Sequence, residues 1–457
     1  MGQKNDSENL GKVAFTLNKI SPSFCAAKWL QNTLYLQTGF NHSCHHPPPH
    51  KIPLEELKEN HRALHNTKHK KEQMQKMLDG ERPAECDYCW KVEDLGNTSD
   101  RFLKSSYPWA FKYIPKILET RTNDINPTYL EISFSNVCNF KCAYCSPDLS
   151  SKWVEETKQF GPYPTSWNTG QLNPTYLHNE YNPYVEAFWK WWPEVSPTLT
   201  NLRLTGGEPL LSKDVWDMLD RLEKDENLNP DLVLGINTNL NVPKNLINKL
   251  IDYINRIAPR IKAVEIFTSN EAVGKQAEYV RYGLNYEEWF SNLDNLIANL
   301  PTNSYVGIMT TINILSLSTI DLFVEDLVSL RRKYYKSYEG SLLSLSFNYL
   351  RWPPFLHPEL APTELKESTV KKLKALTEKY VEGKQLAING TYDILYTSDI
   401  EKIDSLCNIL KKPVKENKKD LKDFYLFVNE YDRRRKTNFD ETFPELIKFK
   451  NYCKGLE

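Results

Sequence analysis

The chain has 457 residues, 40% of them apolar and 26% charged, and 58 basic against 59 acidic side chains give a formal net charge of −1. At about 150 residues per domain the length leaves room for two or three cores, and the composition excludes a collagen, a low-complexity chain and a small disulfide-stapled scaffold. A charge this close to zero supplies no global field drawing the protein to nucleic acid or anionic lipid.

The chain opens with the polar stretch Met1 to Leu10, which lacks the apolar core of a secretory signal, and no later run approaches the roughly 20 apolar residues of a membrane span. The expectation is a cytoplasmic protein. In a reducing compartment nine cysteines, seven of them before residue 146, read as metal or cluster ligands before they read as disulfides. Residues 1–100 carry Cys25, Cys44, Cys86, Cys89 and seven of the nine histidines, with one periodic helix expected over Glu55–Leu78. This is expected to be a small metal-dependent module with a modest apolar face. Residues 101–127 contain Pro108, Pro115 and Pro127 and read as a linker on the surface.

From residue 128 strands and helices alternate. The strand-like runs are Tyr129–Phe134, Leu202–Thr205, Leu232–Asn237, Ala263–Ser269, Tyr305–Ile312 and Leu343–Tyr349, rich in Val, Ile, Phe and Tyr. Helical periodicity falls at Val215–Glu226, Lys244–Ile257, Tyr286–Leu300, Ile320–Tyr335 and Thr363–Tyr380. Six such units in series predict an α/β fold with a parallel sheet, because each parallel crossover needs a helix and keeps one hand. Six units make an open, partial (β/α)6 TIM-like barrel over 128–360, with functional groups at the strand carboxyl ends. A mixed, lysine-rich C-terminal extension follows over 361–457. The connection Ser146–Thr200, with Trp153, Trp167, Trp189, Trp191 and Trp192, is longer than an ordinary βα loop. It reads as an elaborated helix with a packed aromatic cover, ahead of a direct substrate platform.

Directly after the first strand-like run stands Asn136-Val-Cys138-Asn-Phe-Lys-Cys142-Ala-Tyr-Cys145. Three thiolates spaced C-x3-C-x2-C on a loop can bind three irons of a [4Fe–4S] cube and leave the fourth open to a chelating ligand. Zinc is the competing reading, but it takes four ligands, usually as two close pairs, and no histidine lies near these cysteines. Tyr144, just before the last cysteine, is placed to shield the cube.

These residues resemble the signature of the radical S-adenosylmethionine (SAM) superfamily, and the resemblance extends over about residues 128 to 350. The second strand-like run ends in Thr205-Gly206-Gly207-Glu208-Pro209, similar to the family's GGEP motif for the SAM amino group. Two glycines let the backbone approach the ligand, and Glu208 offers a carboxylate to an ammonium. Asn237-Thr238-Asn239 is similar to the polar strand end that meets the ribose or carboxylate in relatives. Ser269, in Thr268-Ser269-Asn270, and Arg281 resemble the serine and arginine that hold the SAM carboxylate in peptide-modifying relatives, a capping serine and a surface arginine being the plain alternative. Thr311 and Asn313 are weaker matches of the same kind. The implied chemistry is reductive cleavage of SAM at the open cluster to methionine and a 5′-deoxyadenosyl radical, which abstracts hydrogen from a substrate. The electron comes from a donor such as flavodoxin or ferredoxin.

Cys25, Cys44, Cys86 and Cys89, with Arg82-Pro-Ala-Glu-Cys86-Asp-Tyr-Cys89-Trp90, look like the SPASM or twitch extension that carries auxiliary clusters, although that extension ordinarily follows the barrel and here precedes it. Four cysteines suffice for one closed [4Fe–4S] cluster. A zinc site drawing on the same thiolates, or on His42, His45, His46 and His50 in a proline-rich loop expected to face solvent, stays open. Cys407 and Cys453 read as packing residues. The resemblance implies an oxidoreductase acting on a peptide or protein side chain, by crosslinking or oxidation. A small-molecule substrate (sugar, nucleotide or amino-acid derivative), RNA held by Lys411–Lys419 and Arg433–Lys436, methyl transfer, and a non-enzymatic zinc-binding adaptor are the alternatives. Solvated helix faces are the commoner origin of such basic runs.

Overall fold

The computed structural model describes residues 8–167, 169–178, 180–334, 343–387, 395–413 and 417–456, with backbone alone from 381 to 387. The polar start at Met1 and the middle of the Lys411–Lys419 run lie outside the described residues. The strands, in chain order, are β1 (Gln31–Tyr35), β2 (Phe40–His42), β3 (His50–Lys51), β4 (Tyr129–Ser133), β5 (Lys141–Cys142), β6 (Asn201–Thr205), β7 (Val233–Thr238), β8 (Ala263–Ser269), β9 (Arg281–Tyr282), β10 (Ser304–Ile312) and β11 (Leu343–Tyr349). The six strands expected from periodicity are β4, β6, β7, β8, β10 and β11. The fold is α/β, with a mostly parallel sheet.

The chain divides into two compact units, Met1–Ser135 with Pro174–Asn237 and Arg256–Val264, and Asn136–Asn173 with Thr238–Asn255 and Glu265–Glu457. In the first, β7, β6, β4 and β1 lie side by side in parallel, and β2 and β3 continue antiparallel from β1. Leu130 and Ile132 on β4 and Leu202 and Leu204 on β6 are buried, while Glu131 and Arg203 between them are partners in register. That alternation is the period of two expected of a strand with one apolar face.

Strand β1 was not expected. Its sequence is Gln-Asn-Thr-Leu-Tyr, polar enough to hide the pattern, yet it pairs with β4 along its whole length. Its buried Asn32 is engaged, the Nδ2 donating to the Leu64 carbonyl at 3.1 Å. Residues 1–100 therefore do more than surround a metal. Val13, Leu17, Phe24, Trp29, Met74 and Trp90 form a core continuous with Trp109, Ile114 and Ile117.

The last three belong to the segment expected to be a surface linker. It folds instead into the helices Asp100–Ser106, Pro108–Phe111 and Ile114–Thr120. Pro108 and Pro115 stand in first helical turns, where a missing N–H costs no bond, so these prolines begin helices rather than mark a loop. The single helix expected over Glu55–Leu78 is three pieces, Leu54–Glu59, His61–Leu64 and Lys68–Leu78. Asn60 and Thr67 break it, because their side chains accept from the backbone N–H of Arg62 and Lys70 and start new helices there.

In the second unit β11, β10 and β8 lie in that order, with Val306–Ile312 paired in parallel to Leu343–Tyr349. A separate antiparallel ribbon pairs Lys141 with Tyr282 and Cys142 with Arg281. The helix Lys418–Arg435 buries Phe424, Phe427, Val428 and Tyr431. Of the tryptophan-rich connection, Trp153 on Ser151–Phe160 is fully buried in this unit, and Trp191 and Trp192 on Pro183–Val195 are buried in the first. Trp167 is partly exposed and donates through Nε1 to Asp420 at 2.9 Å. Cys407 and Cys453 are buried.

Candidate functional site

The cysteine loop is held by its own polar groups. Asn136 Nδ2 donates to the Pro147 carbonyl at 3.0 Å, and the Asn136 carbonyl accepts from Ser151 N at 2.7 Å. Cys138 N donates to Ser151 Oγ at 3.2 Å, Cys145 N to the Cys142 carbonyl at 3.0 Å, and Trp153 Nε1 to that same carbonyl at 3.0 Å. Each of the three thiols is half-buried, and Cys138 Sγ accepts from Phe140 N at 3.4 Å. Burial pushes the Cys145 thiol up to about 12, and Cys142 is also raised, against the Arg281 charge that lowers it. Thiols in such surroundings ionise when a cation or metal centre takes them.

Among the described residues Cys44, His45 and His46 have ligand atoms all within 4.8 Å of one another. Three thiols on one loop, with no histidine among them, are the donor set of an iron–sulfur cube, which offers a separate iron to each.

The glycine motif lies in the first unit, where β6 ends. Gly206 has φ +130°, and a Cβ there would stand 2.7 Å from the Ser135 carbonyl oxygen and 3.1 Å from Ser133 Oγ. Gly207 N donates to the Ser135 carbonyl at 3.2 Å. Glu208 is 1% exposed, and its Oε1 accepts from Leu210 N at 3.0 Å, fixing the carboxylate over the turn Pro209–Leu211. The hydroxyls of Ser133 and Ser135 are buried without a hydrogen-bond partner. A glycine cradle, an aimed carboxylate and two unused hydroxyls fit a small polar ligand bearing an ammonium group.

The remaining expected residues are in the second unit. Thr238 Oγ1 accepts from Leu240 N at 3.1 Å, and Asn239 accepts from Asn241 N at 2.9 Å while its Nδ2 donates to Asn139 Oδ1 at 2.8 Å. Asn139 in turn donates to the Asn241 carbonyl at 2.8 Å. These residues clasp the cysteine loop. Ser269 ends β8.

Arg281 is buried, not a surface residue. Its guanidinium donates to Glu271 Oε2 at 2.6 and 3.0 Å and to the Tyr144 hydroxyl at 2.6 Å, and Nη1 lies 3.9 Å from Cys142 Sγ. Tyr144 donates onward to Glu271 Oε1 at 2.9 Å. Gly283 makes room beside this ribbon, since a Cβ there, at φ +111°, would meet the Asn139 carbonyl at 2.8 Å. Glu271 was missed by sequence reasoning. Its one signal is an acid two residues past a strand end.

Cys25, Cys44, Cys86 and Cys89 line one cleft, together with Lys28 and Arg101. Cys86 and Cys89 are pushed up to about 12 by burial, and Cys25 is raised for the same reason. Burial also acts on Cys44, but the hydrogen bond and charge of His45 outweigh it and hold that thiol low. Lys28, itself buried, is kept charged against desolvation by Cys86 and Glu85. The cleft fits a site carrying several thiolates. Of the neighbouring histidines His45 faces solvent as expected, whereas His42 is buried and His46, whose Nε2 lies 2.8 Å from Asp100 Oδ2, stacks on Tyr88 at 3.7 Å. Cys44 also belongs to the compact trio with His45 and His46.

The basic run Arg433–Lys436 is solvated at its two ends only, Arg433 and Lys436 being exposed. Arg434 and Arg435 are buried, and Arg435 binds Glu156 in the helix that follows the cysteine loop.

The family model described as the radical SAM superfamily matches residues 132–327. GTP 3′,8-cyclase of Vibrio vulnificus is 36% identical over 92 residues, 20% of this chain and 21% of the relative. GTP 3′,8-cyclase of Nautilia profundicola is 30% identical over 124 residues, 27% of this chain and 31% of the relative. Molybdenum cofactor biosynthesis protein 1 of Dictyostelium discoideum is 24% identical over 220 residues, 48% of this chain and 30% of the relative. The chain thus spans less than a third of the length of these curated relatives. Among solved structures, SuiB of Streptococcus suis bound to S-adenosylmethionine aligns with TM-score 0.32 and 13% identity over 64% of this chain and 68% of its own. Residues 132–327 thus match the radical SAM superfamily, whose cofactors are a [4Fe–4S] cluster and SAM.

Proposed function

We propose that Cys138, Cys142 and Cys145 hold a [4Fe–4S] cluster through three of its irons, leaving the fourth for SAM, and that the chain is a radical-generating oxidoreductase. The observation that carries this reading is three half-buried thiols grouped on the loop that follows β4, with the buried Arg281 guanidinium 3.9 Å from Cys142 Sγ. When bound, the reduced cluster would pass one electron to the sulfonium of SAM, which would leave as methionine and a 5′-deoxyadenosyl radical able to take hydrogen from a substrate. The chain's own residues bind and orient. Glu208 receives the ammonium of SAM, Gly206 and Gly207 admit it to the backbone, and Ser133 and Ser135 offer hydroxyls to its polar groups. Pro209 starts the turn that fixes Glu208. Asn239 holds the loop through Asn139 while Thr238 caps the turn at Leu240, and Ser269 is a further polar group at a strand end. Arg281, committed to Glu271 and Tyr144, serves the cluster side in this reading rather than the SAM carboxylate.

Cys25, Cys44, Cys86 and Cys89 are proposed to hold a second, closed [4Fe–4S] cluster, twitch-like in ligand count, that passes electrons or stabilises the fold. A donor of the flavodoxin or ferredoxin kind supplies the reducing electron. For the substrate, a peptide or protein side chain was the first expectation. A small polar molecule such as a nucleotide is the second reading, favoured by the relatives named for a reaction on GTP and by the paired charges of Glu131 and Arg203 on the face of β4 and β6 opposite their leucines.

The test is anaerobic reconstitution. The full chain is expected to be brown, with about eight irons for two clusters rather than about four, and to cleave SAM under reduction. Replacing Cys138, Cys142 and Cys145 by alanine removes half the iron and all 5′-deoxyadenosine formation. A colourless zinc protein, or cleavage that persists in the triple variant, overturns the reading.

A further inference from the structure

The helix Lys418–Arg435 lies beyond the segment matched by the radical SAM family model, yet its last residue reaches the cysteine loop. We infer that Arg435 is a positioning residue of the loop cluster, fixing the backbone at Lys141 and Cys142 and placing a buried positive charge beside the thiolates. This rests on the reading of Cys138, Cys142 and Cys145 as cluster ligands.

The geometry is a fork. Arg435 Nε and Nη2 donate to Glu156 Oε2 and Oε1 at 3.0 and 3.1 Å, and Nη1 donates to the Lys141 carbonyl. The guanidinium lies over the rings of Tyr431, Trp153 and Tyr282, with its carbon 3.9, 5.0 and 5.4 Å from their centroids. Two of those rings belong to elements that themselves hold the loop. Trp153 donates to the Cys142 carbonyl, and Tyr282 pairs with Lys141 in the β5–β9 ribbon. Only an arginine can bridge a carboxylate with two N–H groups, reach a carbonyl with a third and still stack on aromatic faces.

The charges do not cancel. Glu156 also accepts from Lys141 Nζ at 2.6 Å and from the Tyr163 hydroxyl at 2.8 Å. Arg435 and Lys141 against Glu156 leave one surplus positive charge, largely out of water, beside the loop. Adding an electron to a cluster adds negative charge, so a buried cation favours the reduced form and a buried anion opposes it. Groups that hold metal ligands from behind typically change metal affinity about 10- to 100-fold when removed.

The experiment uses the full chain, reconstituted anaerobically, as wild type, Arg435→Met, Arg435→Lys and Glu156→Gln. The readouts are iron content and the reduced-cluster EPR signal that changes when SAM is added, titrated against potential. Arg435→Met is expected to lower loop-cluster occupancy about 10-fold at limiting iron and to move the midpoint to more negative potential. Arg435→Lys keeps the charge and loses the fork, so its midpoint stays near wild type while occupancy falls. Glu156→Gln removes the anion and moves the midpoint the opposite way from Arg435→Met. If Arg435→Met does not fold, the other two variants carry the test. Wild-type occupancy with unmoved midpoints, or shifts of the same sign in Arg435→Met and Glu156→Gln, would overturn the inference alone. A wild type with iron but no SAM-responsive signal overturns the loop-cluster reading itself.

Discussion

Gly206→Ala is the substitution whose cost follows most directly from the geometry. Its φ of +130° lies in a region that L side chains rarely adopt, and holding a residue with a Cβ there costs on the order of 1–3 kcal/mol. The new methyl would stand 2.7 Å from the Ser135 carbonyl oxygen, so the strand end must shift, and the 3.2 Å bond from Gly207 N to that carbonyl is the first to go, at about 0.5–1.5 kcal/mol. The expected loss is about 2–4 kcal/mol. Gly96→Ala is the control, because Gly96 has φ +76° with no atom within 4 Å of an added Cβ, leaving only the roughly 1–2 kcal/mol of a left-handed residue. Urea unfolding of both variants and of wild type, followed by tryptophan fluorescence, measures the difference. SAM binding by equilibrium dialysis measures the consequence, and a 2 kcal/mol disturbance of the cradle corresponds to roughly 30-fold weaker binding. If Gly206→Ala unfolds like Gly96→Ala and binds SAM within about twofold of wild type, the cradle has been misread.

Three further outcomes are expected. Cys86→Ala with Cys89→Ala should remove about half the iron yet leave the SAM-responsive EPR signal; loss of that signal would mean the two cysteine sets do not act separately. Glu156, pulled down to about 2 against burial by Arg435, Lys141 and Tyr163, contributes stability that is present at neutral pH and lost as pH falls from its ordinary 4.5 through about 2. Glu156→Gln should flatten acid unfolding in that window, and an unchanged pH profile refutes the assignment. Arg203, whose Nε donates to Asn237 Oδ1 at 2.9 Å, belongs to the proposed substrate face. Arg203→Ala should abolish any stimulation of SAM cleavage by GTP while sparing the basal reaction, and a GTP response equal to wild type removes Arg203 from substrate binding.

What the sequence discloses depends on how far apart the interacting residues lie. The six strands of the expected units are short runs rich in Val, Ile, Leu, Phe and Tyr, and their ends fall within a residue of expectation. The cysteine loop is local, so its three thiols and Tyr144 could be read from spacing alone. β1 could not, because a strand of Gln, Asn and Thr earns its place through pairing with β4 and through side-chain bonds such as Asn32 to the Leu64 carbonyl. Pro108 and Pro115 misled for a related reason: proline marks a helix start as readily as a loop, and only packing of Trp109 and Ile117 decides between them.

The charged residues make the same point more sharply. Arg433–Lys436 has the composition of a solvated helix end, and Arg433 is one, paired with Glu430 three residues earlier. Arg434 and Arg435 differ because a buried acceptor waits for each: the Gly161 carbonyl for Arg434, at 2.8 Å, and Glu156, 279 residues away in sequence, for Arg435. A buried arginine is tolerated only where its donors are satisfied and its charge is met, so burial of this pair depends on the loop region already being folded. Arg281 obeys the same rule through Glu271 and Tyr144. The thiols of the loop are thus backed by two arginines from elements that begin far downstream, and each arginine is held by a carboxylate that no motif contains. The family signature accounts for which atoms can meet the proposed cluster; these distant pairs account for the aim of the loop that carries them.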